Sequence, residues 1–406
     1  MKNSEYSFLK SAYARVYQFI FKYASYLLSW KEPKVLYGSD TIFSLISILH
    51  EKGKKCALIV TDENICNLGL IDGLINSLNH EDFSYVLYNK TVPNPTINNI
   101  DEAYHLYKSK NCDSIIAIGG GSSIDAAKGV GIRVAWPKRS LVKMSGVLKV
   151  LKKIPFLVAI PTTAGTGSEA TIATVISDEK TKGKYPISDP CLMPKVAILD
   201  ASLTLKLPKD ITATTALDTL THAVEAYVGN SNTKNTKKYA LNAIKLVDTY
   251  LPLVYKDGEN IEAREKMLQA AMYGGLAFTR AYIGYTHALA HALGGMYGVA
   301  HGLANAILLP HVLEAYGESV YNKLADIADK INLTKGQDPK AKSEAFINYI
   351  FELNKEMNIP NKIKEIKESD IKELVARALK EAYPLYPVPK LLNEDTLSNI
   401  LRKVMG

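Results

Sequence analysis

The sequence predicts two structural classes in one chain: an α/β domain built on a doubly wound parallel sheet, then an all-α domain. Three observations carry this. Short runs rich in β-branched residues alternate with helical stretches from about Lys34 to about Leu205. Beyond that point the strand signal fades, and Ala/Leu-rich helical patterns continue to the C-terminus. A chain of 406 residues is also long enough to bury two separate cores. The expected division is a helical extension over 1–33, the α/β domain over 34–205 and the helical domain over 206–406.

Residues 4–30 carry Leu9, Ala12, Tyr13, Val16, Ile20, Tyr23, Ala24 and Leu27 at helical spacing, with Lys10, Arg15 and Lys22 among them. Such a helix either packs on the protein body or across a subunit interface, or lies on a membrane surface. The first is favoured, because aromatic, Ala-containing helices bury well against protein. ALIVTD (57–62), FSYVLY (83–88), DSIIAIG (113–119), FLVAI (156–160) and VAILD (196–200) read as buried strands. Helices are expected over 67–78, over 97–108 and from the glycine run after residue 119. No internal repeat or low-complexity tract interrupts the pattern.

Composition narrows the function classes. With 47% apolar and 22% charged residues the balance is that of an ordinary globular protein. The formal charge of +8 comes from Lys spread along the chain rather than from a block, which points to a solvated surface and not to a nucleic-acid partner, and is consistent with anionic small ligands such as a dinucleotide. Cys56, Cys66, Cys112 and Cys191 stand singly, so neither a disulfide framework nor a thiolate zinc site is expected, and a reducing cytoplasm fits. No apolar run has the length of a membrane span, and Lys10, Arg15 and Lys22 interrupt any signal-peptide core.

Two loops have the chemistry of a dinucleotide site. Gly119-Gly120-Gly121-Ser122-Ser123 follows a strand and opens a helix, so its backbone can approach a phosphate and its free N–H groups can point at the anion. It is neither the spaced dinucleotide fingerprint nor a Walker loop, and a structural turn is the alternative. The loop from Pro161 to Glu169 carries Thr162, Thr163, Thr166 and Ser168 with two glycines. It suits hydrogen bonds to a ribose, a phosphate or a carboxamide, or simply a well-capped turn. Asp62, closing the strand ALIVTD, can accept from a ribose diol or cap the helix that follows.

The helical half carries a candidate metal centre. Asp218 and His222 lie four residues apart, as do His287 and His291, so each pair sits one turn apart on a helix face. The Gly294-Gly295 pair is the expected helix stop, after which His301-Gly302 opens a new apolar helix. Four of the eight histidines thus fall in one Ala/Leu/Gly-rich constellation, where imidazoles need partners. One carboxylate with two or three imidazoles suits Zn²⁺ or Fe²⁺. Spacing alone leaves the choice between His287 and His291 open.

Together these segments resemble the iron-containing (metal-dependent, group III) alcohol dehydrogenases. The likeness rests on VPNPT (92–96), IAIGGGSSIDAAK (116–128), IPTTAGTGSEAT (160–171), DTLTHAVEAY (218–227) and the His287–His311 stretch, in that order. It implies a dehydroquinate synthase-like architecture with one divalent metal in a cleft between a dinucleotide-binding and a helical domain. It implies Asp218, His222, His287 and His301 as metal ligands, with His291 beside the metal as the proton-relaying residue. The glycine loop, Gly119 to Ser123, would hold the pyrophosphate; Asn94, Thr162, Thr163, Thr166 and Ser168 would line the cofactor site, and Lys184 would reach the ribose. Asp62 stands where an acid favours NAD over NADP. The implied reaction interconverts small alcohols with aldehydes or ketones by hydride transfer, in a cytoplasmic homo-oligomer, expected as a dimer, with no nucleic-acid partner.

Departures from the family pattern are Ala300 before His301 in place of a frequent Pro, Ser123 in the glycine loop, the lack of Asn-Pro-Arg near the C-terminus, and the N-terminal extension. Rival readings on the same scaffold are a polyol dehydrogenase, a dehydroquinate synthase-like cyclase, and a non-catalytic binding protein. A cyclase would bring Lys and Arg clusters into the metal site, whereas Tyr227, Phe278, Tyr282 and Tyr285 surround it in sequence.

Overall fold

The structure is a computed structural model that describes residues 8–25, 28, 30–179, 183–334, 336 and 338–406. Two compact units emerge, and neither is contiguous. One comprises Ser29–Leu207 with Asp257–Met272; the other comprises Met1–Leu28, Pro208–Lys256 and Tyr273–Gly406.

The described residues of the first unit form nine strands: β1 (Lys34–Tyr37), β2 (Cys56–Val60), β3 (Ser84–Tyr88), β4 (Ser114–Gly119), β5 (Gly146–Val147), β6 (Phe156–Pro161), β7 (Ala173–Asp178), β8 (Gly183–Ser188) and β9 (Val196–Leu199). Six of them form an all-parallel sheet in the order β1-β9-β6-β4-β2-β3. Side chains alternate across the pleat, so each face needs its own cover. Leu58, Val60, Ile115 and Ala117 pack on one side with Ile124, Ala127 and Val130. Ala57, Ile59, Ile116 and Ile118 pack on the other with Leu45, Leu49 and Leu74. This is a doubly wound sheet, and β4 at its centre is buried over its whole length.

The helices covering it are, after α1 (Phe8–Ser25) of the other unit, α2 (Ser44–Glu51), α3 (Glu63–Asn67), α4 (Asp72–His80), α5 (Ile97–Ser109) and α6 (Gly121–Ala135). One continuous helix over 67–78 is not what forms. Gly69 adopts a left-handed φ of 69°, which ends α3 and lets α4 begin afresh at Asp72. The expected helix after PNPT does form as α5, and Thr96 and Asn99 close a capping box at its start. The hairpin β7–β8, with β5 alongside β8, makes a small second sheet that periodicity did not reveal. Its strands are only partly buried and carry no continuous apolar run, unlike those of the main sheet.

The second unit is helical, with no named strand among its described residues. Its elements are α1, α7 (Lys209–Val228), α8 (Lys234–Lys256), part of α9 (Ile261–Ala281), α10 (Tyr285–Tyr297), α11 (His301–Tyr316), α12 (Tyr321–Lys330), α13 (Pro339–Glu356), α14 (Ile371–Ala382) and α15 (Glu394–Val404). From Ala216 to Val228 every residue of α7 is buried, so this helix is the axis of the unit. Gly294 and Gly295 do not stop α10, which runs on to Tyr297. Gly298 ends it instead: its φ of 72° is the left-handed cap, and its N–H bonds back to the Gly294 carbonyl. The N-terminal stretch is helical over Phe8–Ser25, while residues 4–7, 26, 27 and 29 lie outside the described residues. No described helix is long and apolar enough to cross a membrane.

Candidate metal centre and dinucleotide loop

Three helices bring the metal-type side chains together. Asp218 and His222 project from one face of buried α7, His287 from the first turn of α10, and His301 is the first residue of α11. One donor atom from each of the four lies within 4.8 Å of the others. Asp218 Oδ1 is 3.8 Å from His287 Nε2 and 3.6 Å from His301 Nε2, and Asp218 Oδ2 is 4.0 Å from His222 Nδ1. These gaps are too long for hydrogen bonds. They approach the separation of about 3.4 Å between donors that share a tetrahedral ion at about 2.1 Å.

The protonation states suit a cation. Desolvation holds the His287 and His301 imidazoles well below their ordinary range, and the neighbouring rings reinforce it against the pull of Asp218. Burial alone would raise the Asp218 carboxyl, but His222, His301 and His287 together with the Asn305 amide bring it below its ordinary value. A carboxylate with neutral imidazoles is the form that coordinates metal. The buried His287 Nε2 has no hydrogen-bond partner among the described residues. A buried acceptor aimed at a carboxylate is costly unless something positive lies between them. The residues therefore fit a divalent ion.

A second layer, invisible in the sequence, sets the geometry. Glu225, one turn beyond His222, is buried and accepts from the backbone N–H groups of Gly284 and Thr286, each at 2.8 Å, and pairs with His287 Nδ1 at 2.6 Å. Burial holds its carboxyl above the ordinary range, and the Gly284 and Thr286 donors offset this only in part. With Glu225 as acceptor the proton of His287 sits on Nδ1, which leaves the Nε2 lone pair free for a cation. Gly284 is required here, since a Cβ would stand 2.7 Å from Glu225 Oε1. Asn305, one turn into α11, donates to Asp218 Oδ1 at 2.7 Å and lies 3.1 Å from His301 Nε2. At Gly302 a Cβ would come within 2.3 Å of the Thr214 carbonyl oxygen, so α11 starts in close contact with α7 only because this residue is glycine. Phe278 stacks on His222 with ring centroids 4.3 Å apart. Tyr227 is turned away: it donates to Asp326 at 2.9 Å.

His291 stands outside the four-residue group, stacked on His301 with centroids 5.1 Å apart. Glu381 of α14 pairs with its Nδ1 at 2.7 Å and also accepts from the Tyr386 hydroxyl at 2.5 Å. Burial, with Glu381 beside it, holds the Tyr386 phenol well above its ordinary range, so it stays a donor. Glu381 and Tyr386 lie some ninety residues away in sequence and carry no motif that would have singled them out.

In the α/β unit, the glycine run sits at the C-terminal end of β4, where parallel sheets present ligands. Gly119 has a φ of 147°, and a Cβ there would stand 2.5 Å from Ser123 Oγ. A Cβ on Gly121 would meet Thr166 at 2.7 Å, so the two loops touch only through glycine. The Thr162 N–H donates to the Gly119 carbonyl at 3.0 Å, and a Cβ on Gly120 would rest 3.5 Å from Thr163. Asp62 does cap α3, through Oδ1, and its Oδ2 accepts from Ser123 Oγ at 3.4 Å. Asn94, at a left-handed φ of 57°, donates its backbone N–H to Ser122 Oγ at 3.2 Å and accepts from Lys184 Nζ at 2.7 Å. These residues converge on one loop cluster.

Ser168 faces elsewhere. Its hydroxyl donates to Asp125 at 2.8 Å, and its carbonyl accepts from the fully buried Lys128 ammonium at 2.7 Å. Lys128 also reaches Thr171 and Ala173, tying the second loop to α6. Burial pulls Lys128 down to about 8, against Asp125 and Glu169, and pushes Glu169 up to about 7.

Comparison with known proteins agrees with both halves. Residues 32–201 match the family described as iron-containing alcohol dehydrogenase, and residues 212–405 match the C-terminal part of the Fe-containing alcohol dehydrogenase family. The chain is 34% identical over 376 residues to the NAD-dependent methanol dehydrogenase of Bacillus methanolicus, covering 92% of this chain and 98% of that protein. It is 34% identical over 378 residues to the NADPH-dependent butanol dehydrogenase of Clostridium saccharobutylicum, covering 91% and 96%. The solved alcohol dehydrogenase from Oenococcus oeni superposes with a TM-score of 0.89 at 34% identity, over 93% of this chain and 99% of that one. With a doubly wound sheet ending in a glycine loop, a helical unit carrying a metal-type cluster, and family matches to both, the chain belongs to the iron-containing alcohol dehydrogenases and is a metal-dependent alcohol dehydrogenase.

Proposed function

We propose that Asp218, His222, His287 and His301 hold one divalent ion, iron in the working enzyme, and that the enzyme interconverts small, weakly polar alcohols and their aldehydes or ketones with NAD. The observation that supports this most is the four-donor group, three of its members buried, with its unpartnered His287 Nε2. When bound, the ion supplies Lewis-acid polarisation of an alcohol or carbonyl oxygen and the nicotinamide supplies the hydride acceptor. Everything else falls to the chain. Glu225 holds the His287 ring in one orientation and one tautomer. His301, whose side chain keeps 29% exposure against 1–6% for the other three, forms the open side of the group. His291, held at Nδ1 by Glu381, takes up and passes on the hydroxyl proton at Nε2. Phe278 lines the group with an apolar ring, which suits a small alcohol better than a phosphorylated acid.

In the α/β unit, Gly119, Gly120, Gly121, Ser122 and Ser123 hold the pyrophosphate; Asn94, Thr162, Thr163 and Thr166 contact the rest of the cofactor, and Lys184 reaches the ribose. Ser168 supports that loop through Lys128 and Asp125 rather than by touching the cofactor. The Asp62 carboxylate disfavours a 2′-phosphate and so selects NAD over NADP. The four free cysteines suit a reducing cytoplasm, and the enzyme works as a homo-oligomer.

The test is absorbance in the NADH band with short primary alcohols, NAD or NADP, and protein reconstituted with Fe²⁺ or Zn²⁺. Turnover that requires metal, is highest with Fe²⁺ and prefers NAD is expected. His301→Ala should lose metal and turnover together, whereas His291→Ala should keep its metal and lose rate. Metal loss in His291→Ala, or full metal binding in His301→Ala, would overturn the ligand assignment.

A further inference from the structure

The N-terminal helix α1 lies outside both family-matched segments and presents two different faces. Its inner face is fastened to its own unit. Arg15 donates to the carbonyls of Val388 at 2.7 Å and Pro389 at 3.0 Å, and Gln18 donates to those of Tyr386 at 2.8 Å and Pro384 at 3.1 Å. Lys22 donates to the Asn230 carbonyl at 2.9 Å, and Phe21 meets Tyr282 edge-on. Ala14 is fully buried.

The outer face is apolar and open. Leu9 is 78% exposed, Tyr13 and Val16 57%, Phe19 and Ile20 61%, and Tyr23 54%. Scattered exposed apolar residues are ordinary, but here six large ones share one helix of 18 residues. Leu9, Tyr13, Val16, Ile20 and Tyr23 recur at steps of four, three, four and three. That spacing keeps the five on one face of the helix, as pairing with another helix requires.

We propose that this stripe is an interface with a second copy of the same chain, the two α1 helices pairing about a two-fold axis near Val16. Two observations favour a second copy over a lipid surface. The cations Arg15 and Lys22, which an interfacial helix would turn towards lipid headgroups, are spent on carbonyls of the protein. The stripe exposes on the order of 700 Å² per copy, close to the roughly 800 Å² per partner of a stable interface. A two-fold pairing is self-complementary, and the stripe supplies both halves. Because Val16 is the midpoint between Leu9 and Tyr23, it meets its own copy whether the helices run parallel or antiparallel. The pairing is independent of the redox chemistry and adds an interface beyond any made by the family core.

The test uses the full-length, metal-loaded enzyme. Sedimentation velocity should give Val16→Glu/Ile20→Glu half the particle mass of the parent, with turnover within about twofold. Val16→Cys, a substitution α1 tolerates easily, should form a disulfide-linked dimer under mild oxidation by oxygen, while the parent enzyme under the same conditions does not. Leu9→Cys should do so only if the helices are parallel. An unchanged particle mass, or no Val16→Cys dimer, overturns the proposal. Parent enzyme that floats with phosphatidylcholine–phosphatidylserine vesicles, lost in the Glu variant without a change of mass, overturns it in favour of a lipid surface.

Discussion

Glu225 makes the sharpest prediction, because it links the start of α10 to the metal-type cluster through a single carboxylate. Its Oε2 accepts from Gly284 N–H and His287 Nδ1, and its Oε1 accepts from Thr286 N–H. Glu225→Ala strands three buried donors. At about 1–3 kcal/mol for each unsatisfied group, the apoprotein should lose at least about 3 kcal/mol of stability. The freed His287 ring can then turn or change tautomer, and loss of such a supporting partner lowers metal affinity by roughly 10–100-fold. Glu225→Gln separates the two effects. Its single carbonyl oxygen can occupy the Oε2 position and keep both Gly284 and His287, but its NH₂ then faces the Thr286 N–H. Stability should fall by about 1–3 kcal/mol while metal affinity falls by less than about tenfold. Affinity is read by competition with a chromophoric chelator, and stability by urea unfolding in excess chelator. If Glu225→Ala binds metal within twofold of the parent although its stability has dropped, the carboxylate only ties down a helix end, and the orienting role is wrong.

Three further outcomes follow from the geometry. Gly302→Ala places a Cβ 2.3 Å from the Thr214 carbonyl oxygen, so the start of α11 must withdraw by about 1 Å and carry His301 with it. A displacement of that size at a reacting centre costs about 100-fold in kcat/KM, with helical circular dichroism unchanged. Asp62→Ser keeps an oxygen to cap α3 but removes the carboxylate, and the NADP-to-NAD ratio of kcat/KM should rise at least about tenfold. An unchanged ratio would remove Asp62 from cofactor selection. Glu169 has its carboxyl raised by burial to about 7 from an ordinary 4.5, so the folded state holds a proton that the unfolded state releases. Its favourable contribution is complete below about pH 4.5 and is lost as the pH rises through about 7. Glu169→Gln should therefore gain stability relative to the parent between pH 5 and pH 7.5 in urea titrations, and a constant difference would contradict the assignment.

Much of this protein is written in local pattern. The alternation of β-branched runs with helical stretches determines a doubly wound sheet, because parallel strands buried on both faces read as near-continuous apolar runs, as β4 does from Ile115 to Ile118. The glycines after β4 announce a close approach, and in space they are where the Ser123 and Thr166 side chains leave no room for a Cβ. Four-residue spacing places Asp218 with His222 on α7 because helix geometry is local. Spacing could not decide between His287 and His291, which share one face of α10. That depended on where α11 begins and on which acid meets which ring: Glu225 pairs with His287, and Glu381 pairs with His291. Local signals misplaced the end of α10 for the same kind of reason. Gly294 and Gly295 are good stops in isolation, but packing keeps them helical, and Gly298 takes the left-handed conformation. Pattern within one helix or strand thus determined the main-sheet strands, most of the helices and the residue types at the site. Contacts between segments tens to hundreds of residues apart decided which nitrogen of each ring is protonated, where α11 starts against α7, and which face of α1 is left open to solvent.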